Sequence, residues 1–160
     1  MRGLLIFGLT MLSLTGTVYA EEPHQAWMKY LKGSWEYEWP EFKLKGECTF
    51  RVAAKRNALV ARGEGNEGPW VELIGWRRDK DMLVLSGYGS SRGDYWQIEH
   101  KNVTKDELSG TTSGILPDGR EVVGTSTRRR INDDKFEIHL EFKAGDETIK
   151  AVGTFTRKKE

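Results

Sequence analysis

The sequence predicts an all-β fold, an antiparallel up-and-down meander of about ten strands closed into a barrel and preceded by one short helix. Three observations predict it. From Ser34 onward apolar and polar residues alternate with period two, as half-buried strands require. Clusters of Gly, Asn and Asp punctuate that pattern at roughly 8–12 residue spacing, the rhythm of a barrel or sandwich of short strands. No helical pattern follows Leu31, whereas parallel pairing would require crossover helices.

The chain begins with Arg2, an apolar run from Leu4 to Leu14, and then small and polar residues ending in Val18-Tyr19-Ala20. A charged start, a short apolar middle and a Val-x-Ala site form a secretory signal, so cleavage is expected before Glu21 and the protein is expected to be periplasmic or secreted. The apolar run is shorter than the roughly 20 residues that span a bilayer, and no transmembrane anchor is expected after cleavage. The division is therefore a signal over residues 1–20 and one domain over 21–160, a length that buries one sizeable core without cross-links. Cys48, the only cysteine, lies too far on to carry an N-terminal lipid and has no internal partner.

Within the domain, residues 24–32 read as helix, because Trp27, Tyr30 and Leu31 share one face, with Pro23 placed to start it and Gly33 to stop it. Trp35, Tyr37 and Trp39 then alternate with Ser34, Glu36 and Glu38 until Pro40 ends or bends the strand. Leu44, Cys48, Phe50 and Val52 form the apolar face of the next. Further segments run from Ala58 to Glu64, Trp70 to Arg77, Met82 to Tyr88, Tyr95 to Lys101, Glu107 to Ser113, Glu121 to Ile131, Phe136 to Lys143 and Thr148 to Arg157. Turns such as Gly65-Asn66-Glu67-Gly68 and Asn132-Asp133-Asp134 join them. Closure removes the exposed edges of such a meander, and a barrel of this size leaves room for a small ligand; a filled sandwich is the competing outcome.

Removing Arg2 with the signal leaves 24 basic against 24 acidic side chains, a balance that argues against a nucleic-acid partner. The runs Arg128-Arg129-Arg130 and Arg157-Lys158-Lys159 lie beside acidic residues and read as solvated strand ends.

A helix followed by Gly33-Ser34-Trp35, with Arg157 near the end of the last strand, resembles the calycin pattern of lipocalins. The wider run from Trp27 to Trp35, with the terminal stretch Gly153 to Lys159, is similar to an exported bacterial domain-of-unknown-function family with a lipocalin-like barrel. The resemblance implies that Trp35 packs under Arg157 and closes one end of the barrel. It supplies no catalytic residues. Related haem-binding barrels use a histidine close to the end of the chain, and Ile149 to Arg157 contains none; no cofactor is expected.

All six tryptophans lie in the mature chain. An aromatic stripe at strand spacing fits an ordinary core as well as a cavity wall. In the second case Trp70, Ile74, Trp76 and Trp96 line a lumen suited to a small apolar or amphipathic molecule. His139 shares one strand face with Glu137 and Glu141, a spacing that suits acid–base work, metal binding or simply a wetted face. His100 beside Glu99 is the other titratable pair, and either set is what an isomerase or lyase in the lumen would need. No nucleophile elbow, phosphate loop or zinc motif is present, so no metal is expected. The leading expectation is an exported small-ligand-binding module. The alternatives are an enzyme with an inward His/Glu set and a cell-envelope interaction protein.

Overall fold

The computed structural model describes residues 21–54, 57–89 and 93–159; the predicted signal over 1–20 lies outside them. Helix α1 (Pro23–Leu31) leads into β1 (Gly33–Trp39), a 3₁₀ turn (Pro40–Phe42), β2 (Leu44–Ala54), β3 (Ala58–Gly65), β4 (Gly68–Arg77) and β5 (Met82–Tyr88). The chain continues through β6 (Tyr95–Val103), β7 (Glu107–Ile115), β8 (Glu121–Asn132), β9 (Lys135–Ala144) and β10 (Glu147–Arg157). Every strand pairs antiparallel with its neighbour in sequence, and β1 pairs with β10 through Trp35↔Arg157 and Tyr37↔Phe155. The meander is thus a closed barrel with no free edge.

The period-two pattern decides which side chains face the lumen. On β4, Glu72 and Ile74 are buried while Val71, Leu73 and Arg77 are exposed; on β8, Val122, Ser126 and Arg128 are buried while Val123 and Arg129 are exposed. The fully buried core gathers Trp27 and Leu31 from α1 with Trp35, Leu59, Ile74, Leu83, Leu85, Leu108 and Phe136 from the strands. Burying a side chain of this size contributes roughly 1.5–3 kcal/mol. No helix among the described residues is long and apolar enough to cross a membrane.

The helix starts one residue earlier than the sequence pattern places it, because Pro23 occupies its first turn, where a fixed φ and a missing N–H cost nothing. Gly33 follows with φ +122°, and a Cβ there would sit 2.9 Å from Nη1 of Arg157; turn geometry and close approach both require glycine. Val52, expected on the apolar face of β2, is 54% exposed, since β2 runs on to a register shift between Val52 and Ala54. In β6 a similar shift follows His100, and the strand continues to Val103 rather than ending at Lys101.

Candidate functional site

One end of the barrel is sealed by α1. The Trp27 indole donates to the carbonyl of Thr104 in the β6–β7 turn (2.7 Å), and the Tyr30 hydroxyl lies 2.9 Å and 2.8 Å from the carbonyls of Asn132 and Lys135 across the β8–β9 turn. His24 stacks on Trp76 with ring centroids 4.2 Å apart. Arg157 sits 4.2 Å over the Trp35 ring and donates to the carbonyls of Lys32 (2.9 Å) and Tyr30 (2.6 Å). Burial pushes the Tyr30 hydroxyl up to about 12, against the opposing pull of Arg130 and Arg157, so it remains a neutral donor.

Above this dry floor the lumen turns polar. Glu72, His100, Ser126 and Arg128 all point inward and are between 0% and 6% exposed. The Trp96 indole donates to one Glu72 oxygen at 2.8 Å, and Nη2 of Arg128 lies 3.9 Å from the other. His100 pairs in register with Gly110, and Gly110 with Ser126, so the imidazole and hydroxyl flank a position that carries no side chain. Both ring nitrogens of His100, the Ser126 hydroxyl, and Nε and Nη1 of Arg128 are buried without a hydrogen-bond partner. Each such group carries a cost of about 1–3 kcal/mol unless a bound molecule satisfies it.

Burial sets the charges here. It holds His100 neutral, with its pKa lowered to about 3, and the nearby Arg128 cation acts in the same direction. Burial also pushes Glu72 above the usual carboxylate range, opposed by Arg128 and by the Trp96 N–H. Arginine does not release its proton in proteins, so Arg128 remains the cation that the Glu72 carboxylate faces. The Cys48 thiol is pushed up to about 12 and is a buried, protonated group.

Toward the open end stand the aromatics. Trp70 donates to the Tyr37 hydroxyl at 3.0 Å and meets Trp96 edge-on at 6.3 Å. Trp70 lies over Gly63, Trp96 over Gly87 and Trp39 over Gly153, positions where any Cβ would collide with the indole. The missing side chains let three indoles lie against the wall instead of across the lumen. Trp39, Trp70 and Trp96 face inward yet remain partly exposed, so solvent touches the indole layer at this end. A concavity of about 340 Å³, lined by Phe42, Leu116, Pro117, Asp118, Arg120, Phe142 and Ile149, lies beside the mouth. A second, of about 930 Å³, lies on the outer wall beside Ser34, Thr49, Arg62 and Lys158.

Of the residues singled out from sequence, Trp70, Ile74, Trp76 and Trp96 all face the interior, but at different levels: Trp76 and Ile74 belong to the sealed end, Trp70 and Trp96 to the open one. His139 and Glu137 lie outside, 3.3 Å apart, with Glu141 exposed beside them and paired to Lys150. That face is wetted and cannot serve the lumen. His100 and Glu99 sit on opposite faces of β6, so they do not form a site together. Reading Arg128 as part of a solvated run needs correction: Arg129 is exposed, but Arg128 is the one member of the triplet buried at the barrel centre. Glu72 and Ser126 went unnoticed, although each is in phase with apolar inward neighbours, Trp70 and Ile74 for Glu72 and Val122 for Ser126. Among the described residues no group of three or more His, Cys, Asp or Glu could hold a metal.

No protein-family model and no curated protein matches the chain. Among solved structures it is similar to EF1p2_mFAP2b bound to DFHBI, at 15% identity over 86% of this chain and 100% of that one, with a TM-score of 0.42. It is also similar to the redesigned beta barrel b11L5F_LGL, at 14% identity over 82% of this chain and 95% of that one, with a TM-score of 0.41. A third is the redesigned beta barrel mFAP1 bound to DFHBI, at 16% identity over 81% and 97%, with a TM-score of 0.37. The functional reading rests on the lumen and not on these likenesses.

Proposed function

We propose that the protein is an exported binding module that holds a small apolar or amphipathic molecule in the barrel lumen, its body against Trp70, Trp96 and Tyr37. The observation that carries this reading is the set of buried, unpartnered polar atoms on His100, Ser126 and Arg128 at the centre of a closed barrel. A core built only for stability satisfies such groups or replaces them with apolar ones. Here they lie beneath an indole layer that solvent reaches, the composition of a ligand pocket: apolar walls with a few convergent polar groups.

The reading is tested by tryptophan fluorescence of residues 21–160, titrated with fatty acids, isoprenoids, flavins and haem. Saturable quenching or a blue shift at micromolar ligand is the expected result, with Trp70→Phe and Trp96→Phe each removing part of it. A folded protein that responds to none of them overturns the lumen-binding reading. Export is tested separately, by expressing the full chain and sequencing the N-terminus of the periplasmic or secreted product. Glu21 is expected there, and an intact Met1 in the cytoplasm overturns the export proposal.

A further inference from the structure

We infer that the mid-lumen set selects its ligand by head group, taking an uncharged head with a hydrogen-bond acceptor, of the ketone, aldehyde, ester or amide class, in preference to a carboxylate. This rests on the lumen-binding reading and adds the ligand class to it.

The hydrogen-bond inventory asks for an acceptor. Arg128 offers unpartnered N–H groups on Nε and Nη1 and has no acceptor at all; a neutral imidazole offers one donor and one acceptor; the Ser126 hydroxyl turns either way. Spare donors therefore exceed spare acceptors. They also share one wall. His100, Gly110 and Ser126 are register partners across β6, β7 and β8, and Arg128 is two residues further along β8 on the same face. Gly110 between them carries no side chain because the Glu99 carbonyl of β6 fills the space a Cβ would take, so the donors on either side are not screened by a third side chain.

The charge inventory asks for neutrality. Arg128 already faces the Glu72 carboxylate, which is fixed from its other side by the Trp96 indole. His100, Cys48 and Tyr37 add no charge, each being held in its neutral form by burial. With Glu72 ionised against Arg128, the set sums to zero. A carboxylate entering it would bring a second anion beside Glu72 in a desolvated interior with only one cation to share, whereas a carbonyl takes the spare donors and leaves the balance intact.

The test uses four probes of matched chain length, methyl undecyl ketone, methyl laurate, laurate and tridecane, titrated by tryptophan fluorescence into residues 21–160 near neutral pH. The ketone and ester are expected to bind about tenfold more tightly than laurate or tridecane, the effect of roughly one charge-assisted hydrogen bond. The stretch of a carbon-13-labelled ketone carbonyl should move to lower wavenumber on binding. Ser126→Ala should reduce the preference for ketone over tridecane about threefold. Laurate binding as tightly as the ketone overturns the inference, as does equal binding of tridecane and ketone; in both cases the lumen-binding reading stands. If none of the four binds to the folded protein while an isoprenoid, flavin or haem does, the inference fails and the lumen-binding reading stands; if nothing in either set binds, both fail.

Discussion

Arg157 and Arg128 are both inward members of basic clusters, and they end in opposite circumstances. Arg157 lies over Trp35, donates to the carbonyls of Tyr30, Lys32 and Asp133 and reaches Asp134 at 3.5 Å. Each of its three nitrogens bonds an element that closes the barrel. Arg128, buried deeper, has one ion pair at 3.9 Å and the Phe136 ring 5.4 Å away, with two of its nitrogens unpartnered. One guanidinium spends its hydrogen bonds on the elements that close the barrel, and the other keeps spare donors inside it.

The largest expected effect follows from removing the less satisfied arginine. Arg128→Leu leaves the Glu72 carboxylate buried without its cation and should cost about 3–5 kcal/mol. Adding Glu72→Gln to that variant should recover most of the loss in urea unfolding. A loss under about 1 kcal/mol for Arg128→Leu alone would mean that water reaches the pair freely and that the lumen is not desolvated. Arg157→Ala removes carbonyl hydrogen bonds and the indole contact from a partly exposed side chain and should cost about 2–3 kcal/mol without altering ligand affinity. A change in affinity larger than the change in stability would join the two arginines into one unit.

Acid should then separate the layers. His100 has its pKa lowered to about 3 against an ordinary 6.5, so the unfolded chain binds more protons between those values. Stability falls as pH drops through that window, by up to about 1.4 kcal/mol per pH unit. Glu72, raised by burial, has the opposite sign: its contribution is present below its ordinary 4.5 and is lost as pH rises through the folded value. His100→Gln should flatten the acid limb of the urea midpoint between the two histidine values, while Glu72→Gln should steepen it. Smallest of all, His139→Gln and Glu137→Gln on the outer face should change stability by less than about 0.5 kcal/mol and leave ligand binding untouched.

The architecture was legible because alternation and turn chemistry are local. Every predicted strand has its counterpart, with ends differing by a few residues where β2, β6 and β7 run past the point at which alternation stops being informative. The site was harder to see, since a polar residue in phase with apolar ones looks like noise along one strand. Glu72 gains meaning only when Trp96 and Arg128 arrive from other strands, 24 residues away in one case. The glycines opposite Trp70 and Trp96 carried a signal that register would have revealed. Gly63 and Gly87 face them directly, so a tryptophan paired with a glycine marks an indole laid flat on the wall.

Cys48 gives the protein a clock. It is the sole thiol, 3% exposed, on the lumen side of β2 opposite Gly63 of β3, and its sulfur keeps its proton at any ordinary pH. A thiol reagent can reach it only by entering the lumen or by parting neighbouring strands, so the rate of alkylation reports how often the buried wall of β2 becomes accessible. Occupied and empty barrels would run that clock at different speeds, and the ratio would measure how far an occupant shields the lumen wall without any signal from the ligand itself.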